Sequence, residues 1–76
     1  MNEKKIARIP LEFGKRVKEI RLSKNITQLD LASQLGIDIR QLRRIENGEG
    51  NTSLTTIYLL TEALQVNIED LFNFKL

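Results

Sequence analysis

The chain has 76 residues, of which 41% are hydrophobic and 29% are charged, so its composition is that of one small globular domain. It contains no cysteine and no histidine, which excludes disulfides, thiolate metal sites and the commonest general base of enzymes. Since a glycine-rich phosphate loop is also absent, we expect neither an enzyme nor a bound cofactor or metal.

Basic and acidic residues are unevenly divided along the chain. Residues 1–47 hold 11 lysines and arginines against 6 acidic residues, whereas residues 48–76 hold 1 against 4. A basic front half suits a polyanion such as nucleic acid, although small domains also divide their charges unevenly by chance. No apolar run approaches the ~18 residues of a membrane span, and the polar start is unlike a signal peptide, so we expect a cytoplasmic protein without membrane contact.

The first predicted helix follows a short basic segment. Residues 1–9 show no apolar period and are interpreted as an N-terminal arm. Pro10 suits the first turn of a helix, because its missing N–H has no partner there. An apolar residue then recurs every three or four positions, which predicts a helix over roughly 10–24. These apolar residues are Phe13, Val17 and Ile20.

The stretch from Thr27 to Gly48, TQLDLASQLGIDIRQLRRIENG, predicts two short helices joined by a tight turn. Thr27 and Asp38 are the expected N-caps, and glycines end both helices because glycine adopts the left-handed conformation without a steric penalty. Two helices of this size cannot bury a core between themselves. The arrangement therefore suits a second helix that is presented to another molecule.

Two further helices are predicted after a loop. Thr52 or Ser53 caps the fourth helix, and Asn67 with Asp70 forms a capping pair at the start of a short fifth helix. No segment shows the two-residue alternation of a β-strand beside turn signals. The sequence therefore predicts an all-α domain of five helices.

The third predicted helix is basic on its outer faces, since only Leu42 and Ile45 point inward. An α-helix fits the major groove of B-DNA, where arginine binds guanine through two hydrogen bonds and an apolar side chain contacts the thymine methyl. The outward residues suited to this role are Ile39, Arg40, Arg43 and Arg44. The alternative is that the arginines form only a solvated helix face.

Several polar residues near this helix have more than one interpretation. Gln28 lies in the first turn of the second helix, where unpaired N–H groups attract a phosphate, or it is a simple surface residue. Asp38 is first a cap and accepts from a cytosine amine only if the cap geometry allows, whereas Gln41 caps or reaches a phosphate. Asn47 and Asn51 lie in the following loop, where amide donors meet the other side of the groove.

Eight short motifs follow one another over about residues 11–73. They are RVKEIR at 16–21, TQ at 27–28, LA at 31–32, LGI at 35–37, RIENG at 44–48, SL at 53–54, AL at 63–64 and DLF at 70–72. Together they resemble the repressor/Cro-type helix-turn-helix family, also called the xenobiotic-response-element type. The resemblance implies a lambda-repressor-like five-helix domain over residues 10–73 with a tail at 74–76, which binds palindromic double-stranded DNA as a homodimer.

The resemblance also implies roles for individual residues. The implied base-contacting residues are Gln28, Asp38, Ile39, Arg40, Arg43 and Arg44, around a recognition helix at about 38–47. The implied phosphate-contacting residues are Thr27, Gln28, Gln41, Asn47 and Asn51. An ion pair between Arg21 and Glu46 is implied to tie the first helix to the recognition helix. Where the family usually has glycine, this chain has Gln65, so we expect a differently shaped end of helix four.

The C-terminal end carries more apolar surface than one small domain needs to bury. The residues concerned are Leu59, Phe72, Phe74 and Leu76. Because exposed apolar surface often marks an interface, we expect a homodimer through helices four and five. The alternative is that the tail folds back onto the monomer.

A second function belongs to a different class, namely an antitoxin or adaptor that mainly binds another protein, such as a toxin, through its C-terminal helices. If the chain is instead a small DNA-binding regulator, it suits a restriction–modification controller, a phage repressor or a mobile-element regulator. The sequence does not distinguish among these, nor activation from repression.

Overall fold

Five α-helices follow one another in the computed structural model, which describes residues 2–76. Their bounds are α1 Glu3–Ser23, α2 Gln28–Leu35, α3 Ile39–Glu46, α4 Leu54–Leu64 and α5 Ile68–Leu71. These residues contain no strand, so the predicted all-α fold of five helices is confirmed. No helix in this part of the chain combines the length and the apolar character that crossing a bilayer requires.

Short polar side chains fix where the helices begin. The hydroxyl oxygens of Thr27 and Ser53 each accept the backbone N–H three residues on, at 3.1 Å, and Asp38 accepts the N–H two residues on, at 2.8 Å. The Asp70 carboxylate accepts the Asn67 N–H at 2.9 Å. Each bond satisfies a backbone group that the first turn leaves without a helical partner. The predicted caps of α2 and α3 are therefore confirmed, and Ser53 is the cap of α4.

The first helix begins at Glu3, so its predicted start near Pro10 is wrong. The Asn2 side-chain oxygen caps the helix by accepting the Lys4 N–H at 2.7 Å, and most of the next residues are strong helix formers. Pro10 removes one backbone hydrogen bond inside the helix rather than starting it. The helix therefore crosses the predicted boundary between arm and domain without a break.

The end of α4 also differs from the expectation. Gln65 has a positive φ of 56°, the left-handed conformation that glycine commonly adopts at the end of a helix. The expected difference in shape is therefore absent at this residue. A side chain in this conformation is strained by roughly 1–2 kcal/mol relative to the right-handed region.

The core is formed by apolar residues from all five helices. They are Phe13, Val17, Ile20, Leu31, Ala32, Leu35, Leu42, Ile45, Leu60, Leu64 and Leu71. Both predicted inward residues of the third helix, Leu42 and Ile45, are among them. Leu42 and Ile45 are the only fully buried apolar residues of α3, so most of its surface is left for another role.

A glycine allows α1 and α3 to approach each other closely. A Cβ atom added at Gly14 would lie 2.7 Å from the carbonyl oxygen of Glu46, and closer still to that of Ile45. Only glycine permits such a contact between a helix surface and the backbone of its neighbour. We did not predict this role of Gly14, although a glycine inside an apolar helical period signals a close backbone approach.

The C-terminal residues fold back onto α1. The Phe72 ring lies 5.1 Å from that of Phe13 and 6.1 Å from that of Phe74, and Phe74 packs against the core. Arg8 Nη1 donates to the Leu76 carbonyl oxygen at 2.5 Å. The tail is therefore part of the fold of one chain, as the alternative interpretation of these apolar residues required.

Candidate nucleic-acid interface

The outer face of α3 carries three exposed arginines, Arg40, Arg43 and Arg44. The inward residues of the same helix anchor it in the core, so the arginines project from a fixed support. Ile39 is half-buried and packs against the core, which leaves only part of its side chain for an outside partner. The face is thus strongly basic, with a small apolar area at its start.

Asp38 holds the first of these arginines. Besides capping α3, its carboxylate accepts from Arg40 Nε and Nη2, both at 3.3 Å. The hydrogen bond from the Arg40 side chain holds the pKa of Asp38 below its ordinary value and raises the pKa of Arg40. Asp38 Oδ1 thus accepts two hydrogen bonds, whereas Oδ2 accepts one and keeps a further acceptor site.

The structure brings Arg21 and Glu46 together in a buried ion pair between α1 and the end of α3. Arg21 Nε donates to Glu46 Oε2 at 2.6 Å and Nη2 donates to Oε1 at 3.1 Å, while Nη1 donates to the Ile26 carbonyl at 2.9 Å. The two side chains are only 6% and 1% exposed. Such a pair is weak evidence for net stability, but its two parallel bonds fix the orientation of the helices that carry it.

Gln28 connects this buried pair with the arginine face. Its Nε2 donates to Glu46 Oε1 at 3.0 Å, and its Oε1 accepts from Arg43 Nε at 3.3 Å. The side chain is half-buried at the start of α2. The structure thus places Gln28 beside α3, but with its amide already bonded at both ends.

A cleft of about 680 Å³ lies on the other side of α3, between this helix and the start of α4. Among the predicted site residues, the cleft is lined by Asp38, Arg40, Gln41, Arg44 and Asn51. Asn47 is exposed at the C-terminus of α3, and Thr27 uses its hydroxyl oxygen as a cap. The predicted phosphate-contacting residues therefore flank α3 on two sides and do not form one cluster.

The start of α4 at Thr52 and Ser53, which the sequence also suggests as a phosphate-binding helix end, lines this cleft. Glu49 and Thr56 line it as well and were not predicted. Ser53 Oγ also donates to Thr56 Oγ1 at 2.9 Å, which orders the first turn of α4 beside the cleft. Glu49 gave no signal of a nucleic-acid interface in the sequence, because an acidic residue opposes a polyanion.

The most exposed apolar surface is not formed by the residues that we predicted for it. Leu59 and Phe74 pack against the core, whereas Phe72 contacts two other aromatic rings and is still 41% exposed. By contrast, three side chains of α4 and α5 are largely exposed and line a groove of about 660 Å³ together with Val66. These are Leu54, Tyr58 and Ile68, at 78%, 61% and 53% exposure. We name the four residues the α4–α5 patch.

Tyr58 has a polar neighbour at the edge of the α4–α5 patch. The carboxylate of Glu62 raises the pKa of Tyr58 above its ordinary value. The tyrosine therefore keeps its proton at neutral pH, and its ring adds an uncharged surface to the patch. Leu54 and Tyr58 are four residues apart on one helix, so their side chains lie on the same face of α4.

Comparison with known proteins assigns the chain to a family. Residues 17–71 match the helix-turn-helix family HTH_3. The chain is 40% identical over 67 residues to control protein C.BamHI of Bacillus amyloliquefaciens, which spans 87% of this chain and 83% of that protein. It is 30% identical over 59 residues to antitoxin HipB of Escherichia coli O6:H1, which spans 78% of this chain and 63% of HipB.

A solved structure agrees with these likenesses. The restriction-modification controller protein C.AhdI from Aeromonas hydrophila superposes with a TM-score of 0.79 at 35% identity, over 82% of this chain and 94% of that one. The predicted resemblance is therefore confirmed by both sequence and fold. The chain belongs to the repressor/Cro-type helix-turn-helix family of DNA-binding transcription regulators.

Proposed function

We propose that the protein binds a palindromic DNA operator as a homodimer, with α3 of each copy in the major groove. The observation that carries this proposal is the arginine face of α3, which is exposed while the opposite side of the helix is anchored in the core. An anchored helix presents its side chains to the base edges in one orientation, which sequence-specific reading requires.

We assign base and phosphate contacts to residues by their positions around α3. Arg40, Arg43 and Arg44 read bases, with Gln28, Asp38 and Ile39 at the margins of the reading surface. The phosphates on either side are contacted by Thr27, Gln41, Asn47 and Asn51. The exposed positions of Gln41, Asn47 and Asn51 support this assignment, as does the start of α2, whose first N–H groups favour an anion.

A selection from random DNA duplexes tests the DNA-binding part of the proposal. We expect one enriched palindromic motif, and an affinity that falls steeply with salt because phosphate contacts release counterions. Replacing Arg43 or Arg44 by alanine should weaken binding to the enriched duplex by about 1–3 kcal/mol and change random DNA much less.

A charge-matched control separates base reading from loss of a positive charge. Lys75 is exposed in the tail, so Lys75→Ala removes one positive charge outside the proposed interface. We expect it to bind the enriched duplex like the wild type. If no motif is enriched, or if all three variants bind alike, sequence-specific regulation through α3 is wrong.

The dimer is proposed to form through the α4–α5 patch rather than through the four residues predicted from the sequence. All of its side chains are uncharged, so two copies related by a two-fold axis meet without repulsion between like charges. An isologous dimer of this kind places two recognition helices about 34 Å apart, one turn of DNA, if the two half-sites are consecutive.

The biological role favoured by the likenesses is that of a cytoplasmic restriction–modification controller, since the solved structure of that kind covers most of both chains. The likeness to antitoxin HipB supports a second role, in which the patch binds a different protein. Purification as a stable homodimer with free operator-binding activity favours the controller. A stoichiometric complex with another protein that occupies the patch favours the antitoxin.

A further inference from the structure

One end of the Gln28 amide is held by the buried ion pair. Glu46 is almost inaccessible to solvent and already receives two hydrogen bonds from Arg21, so its Oε1 is a fixed acceptor. The Gln28 Nε2 donates to this oxygen at 3.0 Å. Since a carboxylate cannot donate, the amide nitrogen must face Glu46 and the amide oxygen must face away from it.

The other end of the same amide is turned towards the exposed arginine. The Gln28 Oε1 lies 3.3 Å from Arg43 Nε, which can only donate. A neutral amide meets both needs, since it donates to Glu46 and accepts from Arg43. A glutamate at this position would meet Glu46 as a like charge, and a lysine would meet Arg43 as a like charge.

The contact determines which part of Arg43 remains free. A guanidinium group presents five N–H groups, and one of them, on Nε, is used by Gln28. The outer edge, formed by Nη1 and Nη2, keeps a pair of parallel donors. Such a pair matches the O6 and N7 acceptors of guanine in the major groove. An arginine held in this way also loses less side-chain entropy on binding.

We propose that Gln28 is a positioning residue, which transmits the fixed orientation of Glu46 to Arg43 and so selects guanine at the base pair that Arg43 reads. The inference rests on the proposed function, in which Arg43 contacts a base. It replaces a direct base contact by Gln28 with an indirect role in specificity.

A double-mutant cycle tests the inference on the duplex that the wild type enriches from random DNA. The variant Gln28→Met keeps the length of the side chain and removes both hydrogen bonds. We expect it to weaken binding about tenfold in the wild-type background and less than about twofold when Arg43→Ala is already present, because the two residues act as one unit. Both variants should lose preference at the same base pair. Gln34→Met, an exposed glutamine of the same helix, is the matched control and should bind like the wild type.

The outcomes separate the inference from the proposed function. Equal losses from Gln28→Met in both backgrounds, or no loss in either, overturn the positioning role while sequence-specific binding stands. If the wild type enriches no motif, the proposed function is wrong, and the inference that rests on it is wrong as well. A merely structural role of Gln28 would weaken binding to every duplex equally and would leave the base preference unchanged, which also overturns the inference.

A measurement on the protein without DNA tests the contact between Gln28 and Arg43 directly. The hydrogen bond to Gln28 should slow the exchange of the Arg43 Nε–H proton with water, as seen by nuclear magnetic resonance, relative to that of exposed Arg44. In Gln28→Met the Arg43 resonance should shift, and in Gln34→Met it should not. Exchange of Arg43 as fast as that of Arg44 contradicts the inference.

Discussion

Replacement of Arg21 by methionine should strongly destabilise the protein. Methionine fills much of the same volume, but it leaves the Glu46 carboxylate buried with neither of its bonds from Arg21. Removing one partner of a buried ion pair costs about 3–5 kcal/mol. Because Gln28 still donates to one carboxylate oxygen, we expect the lower end, about 3 kcal/mol.

This loss is large compared with the stability of a chain of this size. At about 0.05–0.15 kcal/mol per residue, 76 residues give a free energy of unfolding of roughly 4–11 kcal/mol. A loss of about 3 kcal/mol lowers the Tm by roughly 12–24 °C. Urea denaturation at pH 7 and thermal denaturation, both followed by circular dichroism, measure the two quantities independently.

Two further variants show whether the buried charge is the cause. Lys18→Met removes an exposed charge from the same helix and should change the stability by no more than about 0.5 kcal/mol. The double variant Arg21→Met with Glu46→Leu removes both charges and should recover most of the loss. A cost below about 1 kcal/mol for Arg21→Met, or a double variant no more stable than the single one, would refute the reasoning.

Three other predictions concern different parts of the molecule. Gly14→Ala is a change that stabilises most helices, but it should destabilise this protein by about 1–3 kcal/mol in urea denaturation, since the added methyl group meets the backbone of α3. A variant more stable than the wild type would disprove the close approach of α1 and α3. Ile68→Glu should convert the proposed dimer into a monomer in sedimentation velocity, whereas Leu29→Glu, at an exposed leucine outside the α4–α5 patch, should not; a dimer that Ile68→Glu leaves unchanged would mean that the patch is not the interface. The pKa of Asp38 in the folded protein is lower than its ordinary value of 3.8, so the ionised carboxylate stabilises the fold at pH values above 3.8. This contribution is lost as the pH falls through the folded-state pKa. The stability difference between the wild type and Asp38→Asn in urea should therefore be constant at neutral pH and fade only below about pH 4, and a difference that grows on acidification would contradict the sign.

Local signals in the sequence were sufficient for most of the fold. The caps Thr27 and Asp38 were predictable because a capping side chain bonds to a backbone N–H only two or three residues away. Leu42 and Ile45 were predictable as core residues because helical periodicity is also local. The start of α1 was missed because Pro10 is a strong local signal, and the Asn2 cap with its helix-forming neighbours outweighed it.

The site was less predictable because its important contacts join residues that are distant in sequence. Gln28 meets a carboxylate 18 residues away and a guanidinium 15 residues away, and no periodicity relates these positions. The same holds for the apolar surface, since spacing alone does not show whether Tyr58 or Phe74 faces the core. Only the packing of α5 and the tail against α1 decides that Phe74 is partly covered and Tyr58 is exposed.

The length of α3 limits how much information one copy can read. Eight residues at about 1.5 Å per residue span roughly 12 Å, which equals three or four base pairs at about 3.4 Å each. The two copies of the proposed homodimer would specify roughly six to eight base pairs, a sequence that occurs by chance about once in 4,000 to 65,000 base pairs. A genome of ~10⁶ base pairs thus offers some tens to hundreds of chance matches. Selective regulation by so short a helix therefore needs further discrimination, from the shape of the intervening DNA or from several adjacent operators.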